Sequence, residues 1–94
     1  MPIGILTLTI EIPGCLSLKE KRGRIKPLLT RLHREFNIST AEMGAQDHWS
    51  RAIVSCAMVN SDLATIQRSL QVIPSWIEQY WPDIQVSDEK LEII

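Results

Sequence analysis

Ile3-Gly4-Ile5-Leu6-Thr7-Leu8-Thr9-Ile10-Glu11-Ile12, then Pro13-Gly14, then Ser17-Leu18-Lys19-Glu20, is the stretch that decides the fold. Residues 3–12 alternate. Leu6, Leu8, Ile10 and Ile12 share one face, and Ile5, Thr7, Thr9 and Glu11 share the other. A period of two, rich in β-branched residues, predicts a strand, and Pro13-Gly14 ends it. Ser17 and Glu20 then read as a capping box, with Ser17 at the N-cap and Glu20 three residues on. Leu18, Ile25, Leu28, Leu29, Leu32 and Phe36 follow at helical spacing, which predicts a helix over 18–36 with one apolar stripe. Pro27 falls inside it. There it removes a hydrogen bond and presses on the carbonyl of Gly23, so a kink near 23–27 is expected, not two helices.

Downstream the pattern repeats with the strands doubled. Residues 37–43 read as a weaker strand, 44–50 as a turn, and 51–59 as an almost continuously apolar central strand. Ser61-Asp62 opens a second helix, with an acid at its positive end and a stripe of Leu63, Ile66, Leu70, Ile73, Ile77 and Tyr80. Pro74 interrupts that helix and Trp81-Pro82-Asp83 stops it. Residues 84–94 form a last strand. The order β-α-β-β-α-β is that of an α+β, ferredoxin-like fold: a four-stranded antiparallel sheet with two helices on one face. Right-handed crossovers make strands 1 and 3 central neighbours. The start of helix 1, the 44–50 turn and the Trp81-Pro82 corner should then lie together.

Ninety-four residues, 45% hydrophobic and 22% charged, make one globular domain over residues 1–94. No apolar run reaches bilayer length, and the N-terminus has no basic stretch of a signal peptide. Two lone thiols, Cys15 and Cys56, suit a reducing cytoplasm and argue against a disulfide framework or a metal site. The net charge of −1 conceals a split: Lys19 to Arg34 holds seven of the ten basic side chains and one acid, Glu20, a window of +6. Clustered like charges repel, so something anionic should sit opposite, either the chain's own acids or a partner.

Ile12-Pro13-Gly14-Cys15-Leu16-Ser17-Leu18-Lys19-Glu20-Lys21-Arg22 resembles the "PG-x-x-SLKEKR" opening of the YlxP-like family (domain of unknown function 503). Phe36-Asn37-Ile38-Ser39 and Glu42-Met43-Gly44-Ala45-Gln46-Asp47-His48-Trp49-Ser50-Arg51-Ala52 resemble its second block. The resemblance spans nearly the whole chain. It implies a small bacterial ferredoxin-like protein without an established activity, linked to genes of translation and ribosome maturation. The chain departs from the family pattern at Leu16, often His there, and in having Pro27 and Pro74 in its helices.

Catalysis finds no support. His33 and His48 have no Ser or Cys at a defined spacing, and Cys15 is a single loop thiol. The glycine-rich loop with an Arg after strand 1, as in acylphosphatases, is missing. The aromatics that RNA-recognition motifs carry on the sheet are missing at positions such as Ile53 and Ser55. The expectation is therefore a non-enzymatic binding protein with no cofactor, metal or membrane, contacting RNA or a ribosomal particle. Lys19, Lys21, Arg22, Lys26 and Arg51 would meet phosphates. Gln46, Asp47 and Trp49 would add stacking or an interface. Each has a plainer reading: a solvated helix face for the bases, an ion pair with Lys19, Lys21 or Arg22 for Asp47, a core cap for Trp49. The alternative function is a protein-interaction or homodimer module. It would use the Thr-rich face of strand 1 or a free edge strand, with the acidic 83–92 segment meeting the basic helix of another copy.

Overall fold

In a computed structural model, which describes residues 2–45 and 48–94, the alternation of the opening stretch becomes strand β1 (Ile3–Glu11). Among the described residues it is followed by helix α1 (Leu18–Phe36), strands β2 (Ser39–Gly44) and β3 (Arg51–Val59), helices α2 (Leu63–Gln71) and α3 (Ile73–Tyr80), and strand β4 (Gln85–Ile93). The sheet is antiparallel at every pairing, in the order β2-β3-β1-β4, so β1 and β3 are the central neighbours that the crossover rule requires. The architecture is α+β.

One face of the sheet is covered. Leu6, Leu8 and Ile10 of β1 and Ala52, Val54, Cys56 and Met58 of β3 are buried against Ile25, Leu28 and Leu32 of α1, Ile66 and Leu70 of α2, and Ile73 and Ile77 of α3. Removing each large side chain from water contributes about 1.5–3 kcal/mol, and this shared cluster is what holds helices to sheet. The other face, with Ile5, Thr7 and Thr9 beside Ala57, Ser55 and Ile53, is half-exposed. It carries no aromatic side chain on β1 or β3.

Proline decides the helices differently in the two places. Pro27 lies within a continuous α1 and is exposed to solvent. Pro74 instead divides the predicted second helix. The N–H of Val72 turns back to the Leu70 carbonyl, and Pro74 sits in the first turn of α3, where a missing N–H costs nothing. Strand β2 starts later than residue 37, because Asn37 is the left-handed cap of α1 at φ 51° and cannot begin an extended strand. The edge strands β2 and β4 are each interrupted by a bulge, near Glu42/Gly44 and Thr9/Ile10, which blunts them against pairing with other chains.

Two glycines have opposite roles. A Cβ on Gly4 would run into Ile66 Cγ2 and lie 2.8 Å from Leu70 Cδ1, so α2 rests directly on the β1 backbone. A Cβ on Gly23 would meet nothing within 4 Å. Gly4→Ala should therefore destabilise by about 1–3 kcal/mol through overpacking, whereas Gly23→Ala should stabilise by about 0.5–1 kcal/mol through helix propensity. Ser17→Ala should cost about 1 kcal/mol, since Ser17 Oγ accepts the Glu20 N–H at 3.1 Å. Urea melts of the three variants check these signs.

Candidate functional site

The basic window of α1 divides into two sets. Three of its cations are spent on the fold. Lys21, 1% exposed, reaches Glu42 Oε2 at 2.7 Å and donates to the Ala45 carbonyl at 2.6 Å. Arg24 donates to the carbonyls of Pro13 and Asp83 and pairs with Asp83 Oδ2 at 3.1 Å and Glu20 at 3.6 Å. Arg31 pairs with Glu35 at 3.8 Å and stands 5.7 Å over the Trp76 ring. The other four, Lys19, Arg22, Lys26 and Arg34, are exposed and form no ion pair with a described residue. At 100° and 1.5 Å per residue they share roughly 120° of the outer helix face and span about 22 Å along it.

The end of the sheet follows the expected convergence. Ile12 N–H donates to the Ser50 carbonyl at 2.7 Å, Lys21 holds the Ala45 carbonyl, and Arg24 holds the Asp83 corner. Trp49, 53% exposed, lines a hollow of ≈ 260 Å³ with Cys15, His48 and Ser50, beside the start of α1. Gln46 and Asp47 lie outside the described residues. Cys15 is itself buried, its thiol donating to the Ser17 carbonyl at 3.4 Å. Burial pushes the Cys56 thiol up, offset in part by its contact with Thr40.

Two expected phosphate ligands are placed elsewhere. Lys21 points inward because position 21 borders the apolar stripe, and its ammonium has no access to solvent anions. Arg51 stands opposite Glu11 in the β1–β3 register and pairs with it at 3.1 Å on the open face of the sheet, away from α1. Glu11 also accepts the Ser87 hydroxyl at 2.8 Å, which together with Arg51 holds its carboxyl below the ordinary value.

A further groove of ≈ 500 Å³ runs along the outer face of α1, lined by Gly23, Lys26, Pro27, Thr30, Arg31, Arg34 and Trp81. The sequence signal for it is the spacing 23, 26, 27, 30, 31, 34, the helical stripe opposite the apolar one. Its two side-chain-poor members, Gly23 and Pro27, read in sequence as a kink and its relief. Here they border open space beside Trp81.

A family model described as a protein of unknown function, DUF503, matches residues 3–90. The chain belongs to the DUF503 family. The uncharacterized protein YlxP of Bacillus subtilis (strain 168) is 39% identical over 69 residues, which cover 73% of this chain and 74% of that protein. Neither description assigns DUF503 an activity. Among the described residues of this DUF503 chain, no group of His, Cys, Asp or Glu is placed to hold a metal ion. Among the same described residues, no helix is long and apolar enough to cross a membrane.

The Lys21–Glu42 pair is asymmetric, with side chains 2% and 20% exposed. Removing one partner of a buried pair leaves a charge in a poor solvent, at a cost of about 3–5 kcal/mol. Because Lys21 is the deeper partner, Glu42→Leu should destabilise by about that amount. Lys21→Met should cost less, since Glu42 retains some water. Denaturant midpoints of the two variants, with unchanged m-values, check the order.

Proposed function

We propose that this DUF503 protein is a non-catalytic RNA-binding protein, meeting RNA or a ribosome-associated particle in the cytoplasm. Its element and strand orders support a ferredoxin-like arrangement with a divided second helix. The observation that carries the functional reading is the set Lys19, Arg22, Lys26 and Arg34: four exposed cations without ion-pair partners among the described residues, on one face of one helix. Such a face recruits phosphates by releasing their counterions. The exposed ring of Trp49 beside the start of α1 adds a surface for stacking or shape. Lys21 and Arg51 take no part, being held by Glu42 and Glu11.

A second reading, pairing of two copies through the open sheet face, draws on the apolar groove lined by Ala41, Met43, Ser55 and Ala57. It ranks lower because Asp88, Lys90 and Glu92 of β4 flank the same face with mixed charge, paired in register with Thr9, Thr7 and Ile5.

Fluorescence anisotropy of a labelled single-stranded oligoribonucleotide, titrated with salt, tests the first reading. Four phosphate contacts give log affinity against log salt a slope of roughly −3, from about −0.7 per contact. Changing Lys19, Arg22, Lys26 and Arg34 to Glu should abolish binding and leave the circular dichroism spectrum unchanged, while Arg51→Ala should leave affinity unchanged. Absence of RNA binding by the unaltered protein at low salt contradicts the reading.

A further inference from the structure

Four of the chain's five aromatic side chains form one array, and only Trp49 stands apart. Phe36 meets Trp76 edge-on at 5.4 Å, and Tyr80 and Trp81 flank Trp76 at 5.3 and 5.9 Å. The Arg31 guanidinium covers Trp76 at 5.7 Å. Trp81 is thus held by a neighbour at a 33° tilt while remaining half-exposed, and it lines the groove. The groove also presents Lys26, Arg31 and Arg34, and no acid among the described residues lines it. Gly23 and Pro27 keep it open, since neither extends a long side chain into it.

We propose that this groove takes an unpaired nucleobase of an RNA strand, stacked on the Trp81 ring, with the adjoining phosphates on Lys26 and Arg34. The inference rests on the RNA-binding reading and deepens it. A held aromatic ring next to cations fits a base joined to a phosphate, because stacking is tolerant of base identity and the cations track the backbone. In a duplex the base faces are covered by their neighbours, so only single strands, loops or bulges offer one. A strand, in place of a free nucleotide, is the fitting occupant because the exposed cations continue beyond the groove to Arg22 and Lys19, about 22 Å from Arg34 at the helical rise. The contact made by α1 is therefore centred on the Trp81 side of the helix and not at the 44–50 turn.

The test uses the whole protein with an oligouridylate carrying one 5-iodouracil. Ultraviolet crosslinking of the unaltered protein, mapped by mass spectrometry, should place the crosslink on Trp81. Trp81→Leu should weaken single-strand affinity about tenfold without changing the salt slope, and Trp81→Phe should retain most of the affinity. A duplex of the same length should bind at least about tenfold more weakly, as should uridine monophosphate. Crosslinking confined to Trp49, equal affinity for duplex or mononucleotide, or unchanged affinity in Trp81→Leu overturns the inference while leaving RNA binding intact. Failure of the unaltered protein to bind any of these probes at low salt overturns both. If Trp81→Leu does not fold, the crosslink in the unaltered protein decides.

Discussion

The bond from the Lys21 ammonium to the Glu42 carboxylate and the Ala45 carbonyl fixes how α1 sits on the sheet. It joins the first turns of a helix to the end of an edge strand 24 residues later, and Lys21 is the one charged residue fully buried among the described residues. A buried ion pair is weak as a source of net stability, because desolvation offsets most of the attraction. It is strong as a constraint, because any other rotation of α1 or slip of β2 leaves a charge buried without its partner. A one-residue slip of β2 would swing Glu42 to the open face, since strand side chains alternate. The apolar core supplies the driving force, and this bond selects the arrangement.

That arrangement sorts the basic window of α1. Lys21 and Arg24, on the side of the helix toward the sheet and Asp83, are matched within the chain, by Glu42 for Lys21 and by Asp83 and Glu20 for Arg24. Lys19, Arg22, Lys26 and Arg34, on the opposite side of the helix, meet no acid among the described residues, and the acids of β4 lie at the far edge of the sheet from β2 or on its open face. Folding therefore converts a mixed cluster into an exposed positive face. Its repulsion is tolerated because the matched residues anchor the helix.

The opening stretch carried most of the fold. Alternation at residues 3–12 and 51–59, the Ser17 cap and the apolar stripe of α1 agree at every level, local and global, and α1 and β3 start and end where the periodicity places them. The second helix was less legible. Pro74 is compatible with either a kink or a new helix start, and only the turn at Val72 distinguishes them. The site was partly legible. Charge density located α1 but could not say which bases are matched, since Lys21–Glu42 and Arg51–Glu11 are made between distant elements. Trp81 read as a helix stop because its neighbour Pro82 ends helices, and its place beside Arg31 and Arg34 depends on the packing of α3 against α1.

The most direct test of this account is the state of the Lys21 ammonium itself. Heteronuclear NMR of protein labelled with ¹⁵N-lysine, recorded at low temperature and neutral pH, separates hydrogen-bonded ammonium groups from those exchanging rapidly with water. One protected lysine Nζ resonance is expected, assigned to Lys21 by its loss in Lys21→Met, with cross-relaxation to Glu42 and Ala45. Lys19, Lys26 and Lys90 should remain unprotected. A Lys21 ammonium that exchanges as fast as those three would contradict the buried bond and, with it, the placement of α1.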